Sequence, residues 1–582
     1  MQGVRHQGPG WIRSARTHPE PRVSEVASPV VAKGDELRQD LSTRVLLHRR
    51  RFLGMLAAGT GALVLGACST GSDDDAGSGS TTDPSDGTTT SLLEQPTVPE
   101  AAGIDTDPFM LGVASGDPLP TSVILWTRLT TDLVDPSGFG GLGETDHAVL
   151  WELASDQAFT KVVATGTEPA AAEFGHSVHV DAGDLEPDTW YWYRFRIGDY
   201  TSPVGKTRTT PDEDADVDEL RFAFASCQLR NAGHWTAYPH LVEDEPDLVF
   251  FLGDYIYEYP GGTGETAIPL TAEPADLADY RVLYAAYQRD ARIQAAHAIA
   301  PWVVTWDDHE VENNYAADIP EKPEDEPGFE VRRAAAYQAF WEAHPVRIDP
   351  PAGDGALEIF RSFRYGALAE FFVLDGRQYR TDQVCGDETG TSASECPELT
   401  DEDHTMLGTE QEDWLTDGLK EADATWTVLA QQTVMKALVL GDIVLNVDQW
   451  DGYPAARTRL LQAIQDAEVE NVIVLTGDIH AGGAADIRMP GAGTTGDIVA
   501  HELVSPGISS PGLGDLGETF DLSGLGLAYG NFKDNGYVRC TVTPDTWTTE
   551  FVVVETITQP ESPAKVDATV EIAAGTPGIV RV

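Results

Sequence analysis

The sequence predicts a layered α/β domain that follows a small all-β domain. Three observations support this fold class. The chain has 582 residues, which is too many for one ordinary domain. Residues 109–211 carry short strand patterns separated by turn signals. From Glu219 onward, apolar strand patterns alternate with helical stretches, which is typical of a sheet covered by helices.

We therefore divide the chain into five parts. Residues 1–68 form an N-terminal extension with an export signal, and residues 69–104 form a disordered linker that begins rich in Ser, Thr, Gly and Asp. Residues 105–212 form the all-β domain, and residues 213–555 form the α/β domain. Residues 556–582 form a C-terminal tail to which the sequence gives no role.

The charge of the chain limits its partners. The formal net charge is −57. Sequence-independent binding of nucleic acids uses basic stripes, so we expect no stable nucleic-acid partner. An anionic substrate remains compatible with this charge, because remote charges are screened beyond about 8 Å at physiological salt. Bound multivalent cations would also dominate the local field of a site.

The N-terminal region resembles a twin-arginine export signal of bacteria. Arg49 and Arg50 precede sixteen mostly small or apolar residues at 52–67, fewer than the roughly 20 residues of a membrane-spanning helix. We therefore expect export through the twin-arginine translocase. Leu65–Cys68 resembles a lipobox, which predicts a lipid anchor on Cys68 and an extracytoplasmic, membrane-anchored protein. The alternative is cleavage nearby, with Cys68 incidental and the protein secreted.

The all-β region resembles a fibronectin-III-like sandwich. Its strand patterns include Val123–Trp126 and Val149–Leu153. A further pattern, Leu185–Phe195, carries a stripe of aromatic residues. Aromatic residues at strand spacing usually pack in a core, and the alternative is a sugar-binding face.

Apolar strands of the α/β region end in polar groups. These strands are Arg221–Ala225, Leu248–Leu252, Trp302–Trp306, Phe371–Leu374 and Val472–Thr476. Leu248–Leu252 is apolar throughout, as expected for a parallel strand that is buried on both faces. If the strands share a sheet, their carboxyl ends converge on one cleft. Residues 280–300 and 331–341 are predicted to be helices.

The residues that follow these strands are suited to metal binding. The candidates are hard or borderline ligands, namely Cys227, Asp254, Tyr257, Asp308, His309, Asn313, Asn314, Asp478 and His480. A single residue of this kind is usually structural, but a cluster at successive strand ends favours a metal site. For Asp254 alone, the alternative is a helix cap after a tight turn at Gly253.

Five motifs in combination resemble the PhoD family of alkaline phosphatases and phosphodiesterases. They are Ala225–Gln228, Gly253–Tyr257, Trp306–Tyr315, Arg332–Tyr337 and Gly477–His480. The resemblance runs from about Phe109 to about Val554. It implies a metallophosphoesterase β-sandwich flanked by helices, which hydrolyses phosphate monoesters and diesters with a cluster of Fe3+ and Ca2+.

The resemblance also implies which residues bind the metals. Cys227 and Tyr257 would bind Fe3+, and Asp254 would bridge the metals. Asp478 would bind Ca2+ together with an asparagine of the pair Asn313-Asn314, and the sequence leaves open whether Asp308 or Asn314 fills that position. Carboxylate oxygen favours Ca2+ over Zn2+. His480 would be a ligand or would orient one.

Two further roles concern the substrate. Arg332 or Arg333 would bind phosphate, because a guanidinium can contact two phosphate oxygens. His309 would protonate the leaving oxygen, or it would orient Asp308 instead. The segment Asp448–Tyr453 either lines the cleft or caps it.

The remaining cysteines have structural interpretations. Cys385 and Cys396 bracket a polar loop, and in an exported protein we expect them to form a disulfide. Cys540 lies in a strand pattern and is expected to be a buried apolar residue.

The functional expectation is an exported, lipid-anchored hydrolase that releases phosphate from small phosphate esters or anionic phosphodiester polymers. One rival is a phospholipase-D-like phosphodiesterase that uses the same site on phospholipids. Another is a non-catalytic lipoprotein that binds a wall polymer through its sandwich. The intact metal positions argue against the second rival.

Overall fold

The computed structural model describes residues 96–351, 355–387, 389–490, 496–514 and 522–582. The predicted twin-arginine pair, Cys68 and most of the linker lie outside these residues, so the roles assigned to them stay predictions. Within the described ranges, no helix is both long and apolar enough to cross a membrane.

The all-β part contains the first eight strands. They are β1 (Val113–Leu119), β2 (Ser122–Arg128), β3 (His147–Ala154), β4 (Val162–Ala170), β5 (Ser177–Ala182), β6 (Trp190–Ile197), β7 (Tyr200–Thr201) and β8 (Gly205–Arg208). Strands β3, β4, β6, β7 and β8 form one antiparallel sheet, and β1, β2 and β5 form an antiparallel layer opposite it. Val149, Val180 and Phe195 share the core between them.

The aromatic stripe of β6 is divided between the two faces of its sheet. Tyr191, Tyr193 and Phe195 are buried in the core of the sandwich. Trp190 and Trp192 alternate with them and are half-buried on the outer face, because successive side chains of a strand point to opposite sides. The aromatic residues on one face of β6 therefore pack in the core, as predicted, and those on the other face do not.

The second part of the chain alternates strands and helices. Its elements are β9 (Leu220–Ala225), α1 (Tyr238–Glu243), β10 (Leu248–Leu252), α2 (Leu277–Gln288), α3 (Ala291–His297), β11 (Trp302–Thr305), α4 (Phe329–Ala343), β12 (Arg361–Tyr365), β13 (Ala369–Val373), β14 (Thr391–Ser392), α5 (Gly408–Glu421), β15 (Trp426–Ala430), β16 (Val439–Leu440), β17 (Ile443–Val444), α6 (Pro454–Asp466), β18 (Val472–Thr476), β19 (Gly482–Arg488), β20 (Ile498–Val504), β21 (Leu527–Asn531), β22 (Gly536–Val542), β23 (Thr546–Val554), β24 (Ala564–Ala573) and β25 (Thr576–Arg581).

Two large sheets pack face to face at the centre of this part. A ten-stranded sheet has the order β25-β24-β23-β22-β9-β10-β11-β1-β2-β5, and a seven-stranded sheet has the order β12-β13-β15-β18-β20-β19-β21. Phe222 and Phe250 of the first sheet contact Phe371 of the second. Helices α1 to α4 cover the first sheet, and α5 and α6 cover the second. This layered arrangement confirms the predicted fold class.

Strand β10 shows why an apolar run is required at the centre of these layers. Phe250 faces the opposite sheet, and Val249 and Phe251 face the helices. The strand pairs in parallel with β9 on one side and β11 on the other, and all its residues are buried. The prediction of a parallel strand buried on both faces is confirmed.

The ten-stranded sheet crosses the domain boundary predicted near residue 212. Strand β1 pairs in parallel with β11, and Gly116 lies opposite Trp302. A Cβ atom on Gly116 would lie 2.4 Å from the carbonyl oxygen of Pro345 and 2.5 Å from that of Trp302. Glycine therefore permits the close approach through which the all-β and α/β parts share one sheet.

Two expectations about secondary structure differ from the structure. The helix predicted over residues 280–300 is two helices, α2 and α3, and the side chain of Asp290 caps the second by accepting a hydrogen bond from the backbone N–H of Arg292. The predicted tail at 556–582 instead forms β24 and β25, which extend the ten-stranded sheet beyond β23. Strand β25 is largely exposed, which explains its weak apolar pattern.

Candidate metal centre

Hydrogen bonds connect the two large sheets where strands β11, β13 and β15 end. Oγ1 of Thr305, at the end of β11, donates to the carbonyl oxygen of Leu374 at 3.0 Å. Nε2 of Gln432 donates to both of these groups, at 2.8 and 2.7 Å. These buried contacts hold together the strand ends that precede the candidate ligands. Several of the candidate ligands lie close to one another, as the sequence predicts.

Several candidate ligands have a backbone conformation that is uncommon for residues with side chains. The φ angle is +61° at Cys227, +58° at Asp254, +53° at Asn314, +63° at Asp478 and +53° at His480. Non-glycine residues with such angles are unusual, and they concentrate at functional sites where the surroundings maintain the strain. We interpret these turns as devices that direct ligand atoms into the centre.

The first ligand group contains Cys227, Asp254 and His480, whose ligand atoms all lie within 4.8 Å of one another. The hydroxyl of Tyr257 belongs with them, since it donates to Asp254 Oδ2 at 2.8 Å and lies 2.9 Å from His480 Nε2. Ser510 donates to the same hydroxyl at 2.9 Å. Burial, and then the charge of Asp254, raises the pKa of the Cys227 thiol well above its usual range. A thiolate at this position therefore requires a neighbouring cation.

Two further groups adjoin the first and share residues with it. One contains Asp254, Asp308 and His309, and the other contains Asp307, Asp308 and Asp478, again with ligand atoms within 4.8 Å. Asp254 is common to the first and second groups, and Asp308 is common to the second and third. A carboxylate that belongs to two groups can bridge two cations, which is the role predicted for Asp254.

The electrostatics of these carboxylates fit a site for multivalent cations. Oδ1 of Asp254 and Oδ2 of Asp307 are buried and have no hydrogen-bond partner among the described residues. Burial raises the pKa of both carboxyl groups well above the usual range. Burial, and then the charge of Asp448, raises the pKa of Asp478 to about 6. Since buried, unpaired carboxylates are costly, bound cations would supply the missing partners.

The donor chemistry differs between the two sides of the centre. The Cys227 sulfur and the Tyr257 phenol suit a transition metal. Fe3+ fits this side, because a phenolate is a hard ligand that binds it well. Asp307, Asp308 and Asp478 offer oxygen atoms alone, which suit Ca2+. The chain therefore has residues able to hold more than one kind of cation.

Arg377 balances part of the charge of the carboxylates. It is 0% exposed, donates through Nε to Asp307, and donates through its two Nη atoms to Asp448 at 2.8 Å each. Its Nη2 lies 3.8 Å from carboxylate oxygens of Asp308 and Asp478. Arg377 has no signature in the sequence, because it follows a strand of the seven-stranded sheet and only the packing of the sheets brings it to Asp307.

Asp308 and Asn314, the two alternatives for one calcium ligand, are in direct contact, and Asp308 also shares candidate ligand groups with Asp254 and Asp478. Asn314 donates its backbone N–H to Asp308 Oδ2 at 2.7 Å, and its side-chain amide donates to Asp387. The side chain of Asn313 donates to Glu321 at 2.6 Å. Asp308 therefore lies among possible ligands and Asn314 contacts it through the backbone, and the choice between the two stays a prediction.

The two arginines predicted to bind phosphate are engaged elsewhere. Arg332 pairs with Glu312 and donates to the Tyr280 hydroxyl at 3.2 Å. Arg333 donates to the carbonyl oxygen of Ala317 at 2.6 Å. None of these three hydrogen bonds reaches the ligand groups, so a phosphate-binding role for either residue stays a prediction.

His309 is held by a buried carboxylate. Its Nδ1 lies 2.7 Å from Oε2 of Glu258, and Oε1 of Glu258 accepts a hydrogen bond from the backbone N–H of Asn313 at 3.0 Å. Burial alone would lower the pKa of His309, but the charges of Glu258, Asp308 and Asp254 raise it well above its usual value. The ring can therefore hold a proton beside the centre, which is compatible with both roles proposed for it.

The remaining residues singled out in the sequence lie partly beside the centre and partly away from it. Gln449 donates through Nε2 to Asp478 Oδ2 at 2.5 Å, so the segment that begins at Asp448 lines the cleft. Cys385 and Cys396 form the expected disulfide, with Cα atoms 6.0 Å apart. Cys540 is buried between the two large sheets, as predicted.

Comparison with known proteins gives concordant results. A family model described as "PhoD-like phosphatase" matches residues 222–551, and one described as "PhoD-like phosphatase, N-terminal domain" matches residues 95–211. The chain is 45% identical over 471 residues to "Alkaline phosphatase D" of Bacillus subtilis (strain 168), covering 79% of this chain and 80% of the relative. A solved structure titled "Structure of PhoD" matches with a TM-score of 0.77 and 42% identity, covering 82% of this chain and 93% of that one.

Proposed function

The chain belongs to the PhoD-like phosphatase family and is a phosphoric ester hydrolase, and from this premise we propose that it is an exported enzyme that cleaves phosphate monoesters and diesters with Fe3+ and Ca2+. We further propose that it releases phosphate outside the cytoplasm. The export signal and the anchor at Cys68 are supported only by the sequence around Arg49 and Arg50.

The observation that carries the metal proposal is the position of Asp254. This buried carboxylate belongs to a group with sulfur and phenol donors and to a group with carboxylate donors. One of its oxygens accepts a hydrogen bond from Tyr257, and the other has no partner within the part of the chain that the structure describes. A residue placed in this way is suited to contact two cations at once.

The protein residues divide the work of the reaction. Cys227, Tyr257 and His480 would hold Fe3+, and Asp307, Asp308 and Asp478 would hold Ca2+. When bound, the cations would neutralise charge on the phosphoryl oxygens and lower the pKa of a water molecule for in-line attack. His309, whose proton is stabilised by Glu258, would donate it to the leaving oxygen or would orient Asp308.

Metal analysis and a visible spectrum of the purified protein test this proposal. We expect iron and calcium in the protein, with a tyrosinate-to-Fe3+ absorption band that Tyr257→Phe removes or shifts. The control is Tyr529→Phe, which removes a hydroxyl that contacts Asp567 and leaves the centre unchanged. A colourless, iron-free but fully active enzyme would remove iron from the proposal.

Calcium and substrate class are tested separately. Removal of calcium with a chelator should abolish hydrolysis, and added Ca2+ should restore it; full activity after exhaustive removal would contradict the calcium assignment. Rates on p-nitrophenyl phosphate, bis-p-nitrophenyl phosphate and phosphatidylcholine vesicles then compare the substrate classes. Turnover of the phospholipid alone would favour the rival phosphodiesterase.

Export is tested by replacing Arg49 and Arg50 with lysine. If the twin-arginine route is used, the precursor of this variant should accumulate inside the cell. Normal export would mean that another route carries the protein.

A further inference from the structure

The disulfide loop lies directly beside the candidate metal centre. Cys385 is bonded to Cys396, and the two residues after Cys385 complete an unusual turn. The φ angles are +55° at Cys385, +71° at Gly386 and +56° at Asp387. Two of these three successive residues carry side chains, so the turn is strained and persists only if its surroundings hold it.

Asp387 of this turn and Gln383, two residues before Cys385, hold Asn314 from two directions. Oδ2 of Asp387 accepts a hydrogen bond from the side-chain amide of Asn314. Nε2 of Gln383 donates to the backbone carbonyl oxygen of Asn314 at 2.7 Å and to Asp448 Oδ1 at 2.8 Å. Asn314 itself has a φ of +53° and donates its backbone N–H to Asp308 at 2.7 Å. A chain of contacts therefore runs from the disulfide to Asp308.

We propose that Asp387 is a positioning residue for Asp308 and that the Cys385–Cys396 disulfide holds Asp387 in place, so that the calcium side of the centre is complete only in the oxidised chain. The inference rests on the proposed function, because it takes Asp308 as a metal ligand. It assigns a role to a carboxylate and a disulfide that otherwise have only structural interpretations.

The contacts around the loop explain why the disulfide is needed. The turn has a local backbone contact, from the N–H of Asp387 to the carbonyl oxygen of Val384 at 3.2 Å, and the backbone N–H of Cys385 donates to Glu398 Oε2 at 2.6 Å. The far part of the loop is anchored separately, by pairing of β14 with β17. Between these anchors, the covalent bond from Cys385 to Cys396 restrains the strained residues. Cleaving it would let the turn relax to ordinary φ angles, and the carboxylate of Asp387 would leave Asn314.

Loss of Asp387 or of the disulfide should lower the affinity for Ca2+ and leave iron binding unchanged. Residues that orient metal ligands typically change metal affinity by roughly 10-fold to 100-fold when they are removed. We therefore expect Asp387→Ala and the double variant Cys385→Ser/Cys396→Ser each to weaken Ca2+ binding by roughly tenfold or more. Iron content should not change, because the hydrogen bonds of Asp387 and Gln383 reach Asn314 and Asp448 and not Cys227 or Tyr257.

The test is a calcium titration of the purified, calcium-depleted protein, arranged as a thermodynamic cycle. If the disulfide acts through Asp387, the variant that combines all three substitutions should bind Ca2+ no more weakly than either parent, because effects on one shared contact do not add. Fully additive losses would overturn the proposal. Thermal unfolding of each variant identifies any that fails to fold.

Two single substitutions keep the proposal falsifiable. Asp387→Asn retains an oxygen that can accept the hydrogen bond of Asn314, so this variant should bind Ca2+ like the wild type. A loss of Ca2+ affinity as large as that of Asp387→Ala would identify Asp387 as a direct ligand and overturn the positioning role. Asp401→Ala removes an exposed carboxylate beyond Cys396 and should have no effect. Wild-type protein that binds no Ca2+ would instead contradict the proposed function. Normal affinity in Asp387→Ala, with calcium bound by the wild type, would contradict this inference alone.

Discussion

Replacing Asp254 by asparagine should have opposite effects on the metal-free protein and on the active enzyme. In the structure this carboxylate is 2% exposed and lies close to Asp308, and Oδ1 has no partner among the residues described. Asparagine has nearly the same shape and can still accept the hydrogen bond that Tyr257 donates at 2.8 Å. The substitution therefore removes a negative charge while keeping the local contacts.

The size of the stability effect follows from that geometry. A buried polar group without a partner costs about 1–3 kcal/mol, and more if it is charged. Asparagine still leaves an uncharged amide unpaired at this place, so Asp254→Asn should stabilise the metal-free protein only by the extra cost of the charge, on the order of 1 kcal/mol. Because burial raises the pKa of Asp254 above its unfolded value, the wild-type carboxyl favours folding at acidic pH and loses that advantage as the pH rises through the folded pKa. The gain from asparagine should therefore grow with pH.

The active enzyme should respond in the opposite direction. If Asp254 bridges two cations, its loss should cost about a thousandfold in kcat, or ~4 kcal/mol of transition-state stabilisation. If it were only a helix cap, the variant would keep its turnover and its stability would change little, because asparagine caps a helix about as well as aspartate.

Thermal unfolding with and without chelator, measured at several pH values, provides the stability comparison. Metal content and kcat of the same preparations provide the functional one. A folded Asp254→Asn protein with near-normal turnover, or one whose metal-free form is less stable than the wild type, would refute the two-metal reasoning.

Three other perturbations have expected outcomes. Arg377→Met should lower the free energy of unfolding by about 3–5 kcal/mol in a denaturant titration, since it leaves buried carboxylates unpaired; a loss below about 1 kcal/mol would contradict this role. Burial lowers the pKa of His179 to about 4, of His297 to about 3 and of His344 well below its usual value. The stabilisation from these neutral histidines should therefore be fully present above pH ~6.5. The free energy of unfolding should fall toward pH ~4, by about 1.4 kcal/mol per pH unit for each histidine. His297→Gln should show a weaker pH dependence of Tm. Cys227→Ser should lose iron and keep calcium, with a smaller loss of kcat than Asp254→Ala, and equal losses of both metals would place Cys227 at a bridging position.

The main layers and the convergence of most candidate ligands could be predicted because local patterns determined them. The apolar run Leu248–Leu252 had to be a buried parallel strand, and the carboxyl ends of parallel strands meet at one edge. Cys227, Asp254 and Asp478 directly follow such strands, so their proximity followed from the sequence.

The parts that could not be predicted depend on contacts between distant segments. Arg377 reaches Asp307 across two sheets, 70 positions away in the chain. Asp387 lies in a polar loop, and its contact with Asn314 depends on a turn with positive φ angles that no sequence pattern signals. Strand β25 is largely exposed and lacks an alternating apolar pattern, so its pairing with β24 could not be inferred.

The shared ten-stranded sheet limits how the chain can fold while the ribosome is still making it. Strands β1, β2 and β5 emerge early, but β1 must wait for β11 before its outer edge is paired. Strand β9 must likewise wait for β22, and β23 for β24. Until then the nascent chain presents unpaired strand edges, which invite pairing with other chains. The sheet is complete only when β25, which ends at Arg581, has been synthesised, so the proposed export of the folded protein would have to follow that point.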